Sequence, residues 1–388
     1  MADIKNNTLE LITNTKDKIN QYTAKADLFT QIIILVSGLI VFLLVLWGIR
    51  TINLQNNLLN CIDLNELYKK QNTFISSFAP TGKIVHSNYD YLLRDYYIKT
   101  AHNACLGGEP TNSFVSSCAL ETSIKQGYRC LDFEIYSVNK IPVISTSSQD
   151  EFRLKETYNY LEVDKALQVV SSFAFSSACP NNFDPLLLHF RIMTNHKDIL
   201  DKIASSIVNH LSSRLLKPEY GFENHGINLG SNELKKFIGK IIIIIDKSNP
   251  IYIDSKLDEL VNITSNSIFM RSYRNNQLST GNFTKELIEY NKENMTIILP
   301  PLSRNYNNFN PNVALNQGCQ LVTMNMQNYD VNLEYYNKLF DDNNSAFVLK
   351  PLSLRGEPPI EVKIDPPDPV LKQGEKTTQL PTGHSITF

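Results

Sequence analysis

The run Tyr96-Tyr97-Ile98-Lys99-Thr100-Ala101-His102-Asn103 is largely apolar and strand-like, and it closes on an imidazole and a side-chain amide. Further along, Arg129-Cys130-Leu131-Asp132-Phe133-Glu134-Ile135-Tyr136 alternates carboxylates with apolar residues. Side chains in a strand repeat every two residues, so Cys130, Asp132 and Glu134 share one face and Leu131, Phe133 and Ile135 the other. An imidazole, an amide and two acids at neighbouring strand ends are groups suited to binding a hard cation and to acid–base work on a phosphate.

Working outward, strand-like runs recur at Tyr97–Ala101, Cys130–Tyr136, Pro142–Ser145, Leu186–Phe190, Lys240–Asp246, Ser267–Ser272, Thr296–Leu299 and Gln320–Met324. Helical patterns separate most of them, at Val115–Gln126, Val163–Phe175, Lys197–Leu215 and Lys285–Glu293. Eight strands interleaved with helices predict a (β/α)8 barrel, whose functional groups stand at the C-terminal ends of the strands. His102, Glu134 and Arg191 each fall near such an end. The unbroken isoleucines from Ile241 to Ile245 suit a parallel strand buried on both faces.

The order of motifs resembles the phosphoinositide-specific phospholipase C family. In its X half, Thr100-Ala101-His102-Asn103 and Gly127-Tyr128-Arg129-Cys130-Leu131-Asp132-Phe133-Glu134 stand where the family has Ser-His-Asn-Thr and Gly-x-Arg-Cys-x-Glu-x-Asp strands. Asp184-Pro185-Leu186-Leu187-Leu188 continues the likeness. In its Y half, Tyr290-Asn291-Lys292, Asn316-Gln317-Gly318-Cys319-Gln320-Leu321-Val322 and Phe347-Val348-Leu349-Lys350-Pro351 follow in order. The resemblance covers residues 90–355, with the X half at 90–250 and the Y half at 255–355. It implies a TIM barrel of the phospholipase C-like phosphodiesterase type, acting on phosphatidylinositol-type membrane phospholipid.

In that family two histidines act on the phosphate, and a calcium ion held by an Asn and three carboxylates activates the inositol hydroxyl. By resemblance His102 is the first histidine, Asn103 the amide ligand, and Asp132 and Glu134 the strand carboxylates, with Asp and Glu interchanged. Other positions depart. Thr146 stands in place of the second histidine and cannot titrate near neutrality. Arg191 stands in place of the last carboxylate ligand, where a guanidinium repels calcium. The phosphate-binding lysines align with Ile244 and Asp246, and the head-group contacts fall near Tyr306 or Asn307 and at Leu339, one place from Lys338. The resemblance allows calcium, but the ligand set is incomplete, and no cofactor is expected. Two readings follow: catalysis is lost and the barrel persists as a lipid-binding or structural module, or Arg191 replaces calcium, as an arginine does in bacterial relatives. His189 shares the strand face of Arg191 and is a candidate for the missing imidazole. An inert interaction scaffold is a third reading.

The rest of the 388-residue chain is accessory. Between Asp27 and Arg50 no charge interrupts residues 28–49, long enough to cross a hydrocarbon core of about 30 Å at about 1.5 Å per residue. Lys16, Lys18 and Lys25 precede this stretch and only Arg50 follows closely. The charge rule thus predicts a single-pass membrane protein with its large domain lumenal or exterior. A polar leader (1–27), a tether (50–89, helical around Leu54 to Lys70) and a Pro-rich disordered tail (356–388) complete the expected organisation. Cys105 and Cys118 flank a loop and are either a disulfide or free buried thiols. A net charge of −2 argues against a nucleic-acid partner; protein partners are not specified.

Overall fold

A strand that is apolar on both faces needs helices outside it and other strands across from it. The isoleucine run finds both in the computed structural model, which describes residues 13–18, 20, 28–69, 89–149, 155–278, 281–356 and 374–387. The strands are β1 (Tyr96–Ala101), β2 (Cys130–Val138), β3 (Ile141–Ser145), β4 (Leu161–Glu162), β5 (Leu186–Ile192), β6 (Ile241–Asp246), β7 (Ile263–Ser265), β8 (Met270–Arg274), β9 (Met295–Leu299), β10 (Leu321–Met324) and β11 (Phe347–Leu349). The barrel follows the order β7-β6-β5-β2-β1-β10-β9-β8, and every ladder along that path is parallel. β7 and β8 end the path, so the eight-stranded barrel is nearly closed. The main helices are α1 (Leu28–Tyr68), α2 (Ser117–Lys125), α3 (Val163–Phe173), α4 (Leu200–Leu211), α5 (Gly281–Glu293) and α6 (Val331–Asp342).

Period-two alternation sorts the strand residues into two cores. Leu131, Phe133, Leu188, Phe190, Ile243 and Ile245 join the layer between barrel and helices. Ile98, Cys130, Leu187, Ile242, Ile244, Met270 and Ile297 belong to a second cluster, made by the alternate faces, that plugs the barrel. Each inward column turns polar towards its C-terminal end: Cys130-Asp132-Glu134, Leu187-His189-Arg191, Ile242-Ile244-Asp246 and Met270-Ser272-Arg274. Register lines these columns up, with Asp132 opposite His189, Glu134 opposite Arg191 and His189 opposite Ile244.

Two of the expected barrel strands differ. Pro142–Ser145 lies in β3, an antiparallel arm folded back on β2. The turn between them passes through Asn139 and Lys140 at φ 51° and 62°, the paired left-handed geometry of a tight hairpin. The missing barrel strand is β7, whose three residues are too few to show a period. The expected Ser267–Ser272 strand is displaced to Met270–Arg274, which carries Arg274 to the barrel mouth.

Before the barrel, α1 runs without interruption through the expected boundary at residue 50 and through the helical part of the tether. Its segment Phe29–Ile52 is long and apolar enough to cross a membrane, with a mean hydropathy of 3.0 and none of that window buried. The last turns dock on the barrel: Leu64 and Tyr68 are buried, and the Tyr68 hydroxyl donates to the Met326 carbonyl. The disulfide joins Cys118 to Cys61 rather than to Cys105, which is a buried free thiol. Cys105 sits inside the barrel-to-helix layer, where no partner thiol reaches it. Most of the leader, residues 70–88 of the tether and residues 357–373 of the tail lie outside the described residues. The end of the tail, expected to be disordered, forms a two-stranded hairpin pairing Thr377–Gln379 with Ser385–Thr387.

Candidate active site at the barrel mouth

The polar ends of the inward columns meet in one buried network centred on Asp132. Asn103 leaves β1 in the left-handed region at φ 43°, which Asn tolerates better than most residues. That turn aims its backbone N–H at Asp132 Oδ2 (3.2 Å). Arg191 donates to Asp132 through Nε (2.9 Å) and Nη2 (2.7 Å) in a bidentate fork. Nη2 also donates to Asn103 Oδ1 (3.0 Å). Arg191 Nη1 lies 3.0 Å from Glu134 Oε1, which also accepts from Asn103 Nδ2 (3.2 Å). The other Glu134 oxygen accepts from the Tyr136 hydroxyl (2.9 Å) and the Ser147 N–H (3.0 Å).

The two histidines flank the same carboxylate. His189 Nδ1 is 2.8 Å from Asp132 Oδ1 and Nε2 is 2.9 Å from the Ser265 hydroxyl, and the ring is wholly buried. Both nitrogens are thus committed, and His189 does not face the mouth. His102 Nδ1 lies 2.9 Å from Asp132 Oδ2, but off the line a ring N–H needs for a hydrogen bond. Asn103 Nδ2 meets its Nε2 at 3.2 Å. His102 alone of the two lines a mouth hollow.

Electrostatics follow from this packing. Burial opposes ionisation of Asp132, but Arg191 and then the His102 and His189 contacts outweigh it and hold the carboxyl well below its ordinary value. Burial likewise disfavours a charged Arg191, and Asp132 and Glu134 overcome it, so the guanidinium stays protonated. For His102, burial pushes the imidazole below its ordinary value against the pull of Asp132. Asp246 is also held low: burial raises it, and His189 and the Ser248 hydrogen bonds bring it down.

The donor set does not fit calcium. Calcium wants six to eight oxygens at about 2.3–2.6 Å, whereas Asn103 Oδ1, both Asp132 oxygens and Glu134 Oε1 all face the guanidinium. Asn103, Asp132 and Glu134 converge on Arg191, not on a cation position. Among the described residues, no group of three or more His, Cys, Asp or Glu side chains could hold a metal ion.

The remaining sequence candidates separate. The Thr146 hydroxyl donates to the Pro110 carbonyl (2.8 Å) and is turned away from the network. Ile244 belongs to the apolar plug, one step below the polar layer. Asp246 lines the larger mouth cavity, of about 330 Å³, beside Arg191 and Arg274. One of its oxygens is held by Ser248 and Asn266. Asn307 is an exposed loop residue accepting from Asn328 (3.2 Å). Lys338 requires correction: it lies on α6, outside the barrel, paired with Asp342 at 2.8 Å, because the helix turns that position to solvent. Sequence reasoning missed Arg274. It lines both the larger cavity and the smaller hollow of His102, Asn103 and Glu134, and donates to the Pro300 carbonyl (3.0 Å). The available signal was its period-two spacing from Met270 and Ser272.

Residues 251–353 match the family model described as phosphatidylinositol-specific phospholipase C, Y domain. Over that segment, about a quarter of the chain, it is similar to the phosphatidylinositol-specific phospholipase C family. Among solved structures it is similar to L. pealei PLC21, at 19% identity and a TM-score of 0.54 over 69% of this chain and 38% of that one. It is similar to S. officinalis PLC21 at 18% identity and a TM-score of 0.55, over 69% and 38%. A calcium-dependent phosphoinositol-specific phospholipase C from Pseudomonas sp matches at 9% identity and a TM-score of 0.41, over 63% of this chain and 92% of that chain. The chain spans well under half the length of the two PLC21 proteins, and these likenesses concern the fold.

Proposed function

We propose that this chain is a membrane-anchored phospholipase C-like barrel that receives phosphorylated inositol lipid head groups at its mouth, with calcium-dependent catalysis lost. The observation that carries this reading is the Arg191 guanidinium held by Asp132, Asn103 and Glu134, at the place the family gives to a cation. Arg274, between the two mouth hollows, supplies a positive group for a head-group phosphate, since a guanidinium matches phosphate geometry. Thr146 provides no titrating group, and His189 has both nitrogens engaged, so among the described residues His102 is the one imidazole facing substrate space. The apolar segment of α1 is the anchor. The Cys61–Cys118 disulfide supports an oxidising, lumenal or exterior location for the barrel, in line with the lysines that precede the span.

A second reading rests on the Asp132–His102 contact beside Arg191. There His102 takes the proton from the inositol hydroxyl and the guanidinium stabilises charge on the phosphate, without a metal. With no second imidazole among the described residues to protonate the leaving oxygen, turnover is slow, because general acid help is worth roughly 10²–10⁴-fold. Titrating inositol 1-phosphate into the full chain by calorimetry, with calcium and with chelator, tests the main reading. Binding should be the same in both and weaken about tenfold in Arg274→Ala. Absence of binding, or binding only with calcium, overturns it.

A further inference from the structure

The docked end of α1 has a direction, and it determines where the barrel mouth points. Cys61 is disulfide-bonded to Cys118 in the first turn of α2. One helical turn later, Asn65 meets Thr122 of α2 at 3.5 Å. Positions four apart on α1 therefore meet positions four apart on α2 in the same order, and the two helices run parallel. In a βα unit the helix returns antiparallel to its strand, so α2 starts at the mouth, just past the β1–α2 loop, and descends. The end of α1 descends beside it. Two further contacts agree. Asn60 and Leu64 pack on Gly107 in that mouth-side loop, with side-chain atoms 3.6 and 3.8 Å from where a Cβ would stand. Tyr68 donates to Met326, just beyond the C-terminal end of β10.

Traced backwards, α1 leaves the barrel on the mouth side and continues as one helix into the apolar segment that ends at Ile52. The nine positions from Ile52 to Cys61 rise about 14 Å at about 1.5 Å per residue. We propose that α1 is a strut, stapled by Cys61–Cys118, that faces the barrel mouth towards the same bilayer its own span crosses and holds it at short range. The occupant of the mouth rim is thus the host membrane of the chain itself, not a membrane opposite. The proposal rests on the reading of Phe29–Ile52 as a membrane anchor. The staple is the removable element: without it, the end of α1 is held to the barrel by the non-covalent contacts of Asn60, Leu64, Asn65 and Tyr68.

The test uses the full-length chain reconstituted in vesicles whose lipid head groups carry an energy-transfer acceptor. A donor is placed on Arg304→Cys, in the exposed loop after β9 at the mouth, or on Lys236→Cys, exposed just before β6 at the opposite end. The free native cysteines are all buried. Transfer should be stronger from the mouth position, corresponding to a height difference of roughly 20 Å for a six-residue strand at about 3.3 Å per residue. In the Cys61→Ser, Cys118→Ser double variant the difference should shrink. Equal transfer from both positions in the oxidised protein, or stronger transfer from Lys236→Cys, overturns the proposal while leaving the anchor intact. An undiminished difference in the double variant overturns the role of the staple. Failure of the chain to stay with vesicles in alkaline carbonate overturns the anchor, and the strut with it.

Discussion

Removing Arg191 tests the network where it is most concentrated. Arg191→Ala deletes three hydrogen bonds, two to Asp132 and one to Asn103, together with the ion pair to Glu134. Asp132 is left fully buried and Glu134 nearly so, without their countercharge. Stranding a buried charge by removing its partner costs roughly 3–5 kcal/mol. At roughly 2–4 °C per kcal/mol for a domain of 150–250 residues, the melting temperature of the detergent-solubilised chain should drop by roughly 6–20 °C at neutral pH. The sign with pH is fixed by Asp132. Its folded value in the parent is depressed, so it contributes stability above the unfolded carboxylate value of about 3.9 and loses it as pH falls. In the variant burial is no longer opposed by Arg191, protonation relieves the stranded charge, and the gap to the parent should narrow on acidification. Arg191→Lys should fall between, since one ammonium cannot reproduce the bidentate fork. Calorimetric melting across the acid range reads all three. A loss under about 1 kcal/mol, or a gap that widens as pH falls, would refute the clamp.

Breaking the staple with Cys61→Ser should destabilise the docked end of α1: a constraint across 57 residues corresponds to about 4 kcal/mol in the chain-entropy description. Protection of the α1 end from hydrogen exchange under non-reducing conditions checks it. Lys338→Ala and Asn307→Ala should leave inositol phosphate binding within about twofold, measured by calorimetry, because neither side chain lines the mouth cavities. Ile244→Asp, which forces a carboxylate into the plug without a partner, should prevent recovery of folded protein, read by soluble yield and near-UV circular dichroism.

The barrel was legible because its signals are periodic. Long strands such as β2, β5 and β6 alternate two buried faces, and the isoleucine run marked β6 directly. What the sequence hid is short or topological. β7 has three residues, and β3 carries an apolar pattern that does not reveal whether it closes the barrel or folds back on β2. In the site, His102, Asn103, Asp132, Glu134 and Arg191 could be named from their strand ends, and the structure brings all of them together. Which of two arrangements they form depends on where the guanidinium points, and no sequence pattern fixes that. The two histidines illustrate the limit: both touch Asp132, yet only the burial of each ring separates the one at the mouth from the one sealed against Ser265. Arg274 was lost because the strand was expected to end at Ser272. The sequence left Cys105 and Cys118 open between a disulfide and free thiols, because it does not show that α1 returns to α2 and brings Cys61 to Cys118.

Cleavage of phosphatidylinositol by the full-length chain, followed in calcium and in chelator, addresses the central claim that Arg191 stands where a cation would. The account predicts very slow or undetectable cleavage that is identical in both conditions, with any residual activity abolished in His102→Ala and in Arg191→Ala. Brisk hydrolysis that requires calcium and is lost in Glu134→Gln would contradict it, because Arg191 would then have to leave the carboxylates for the ion to bind.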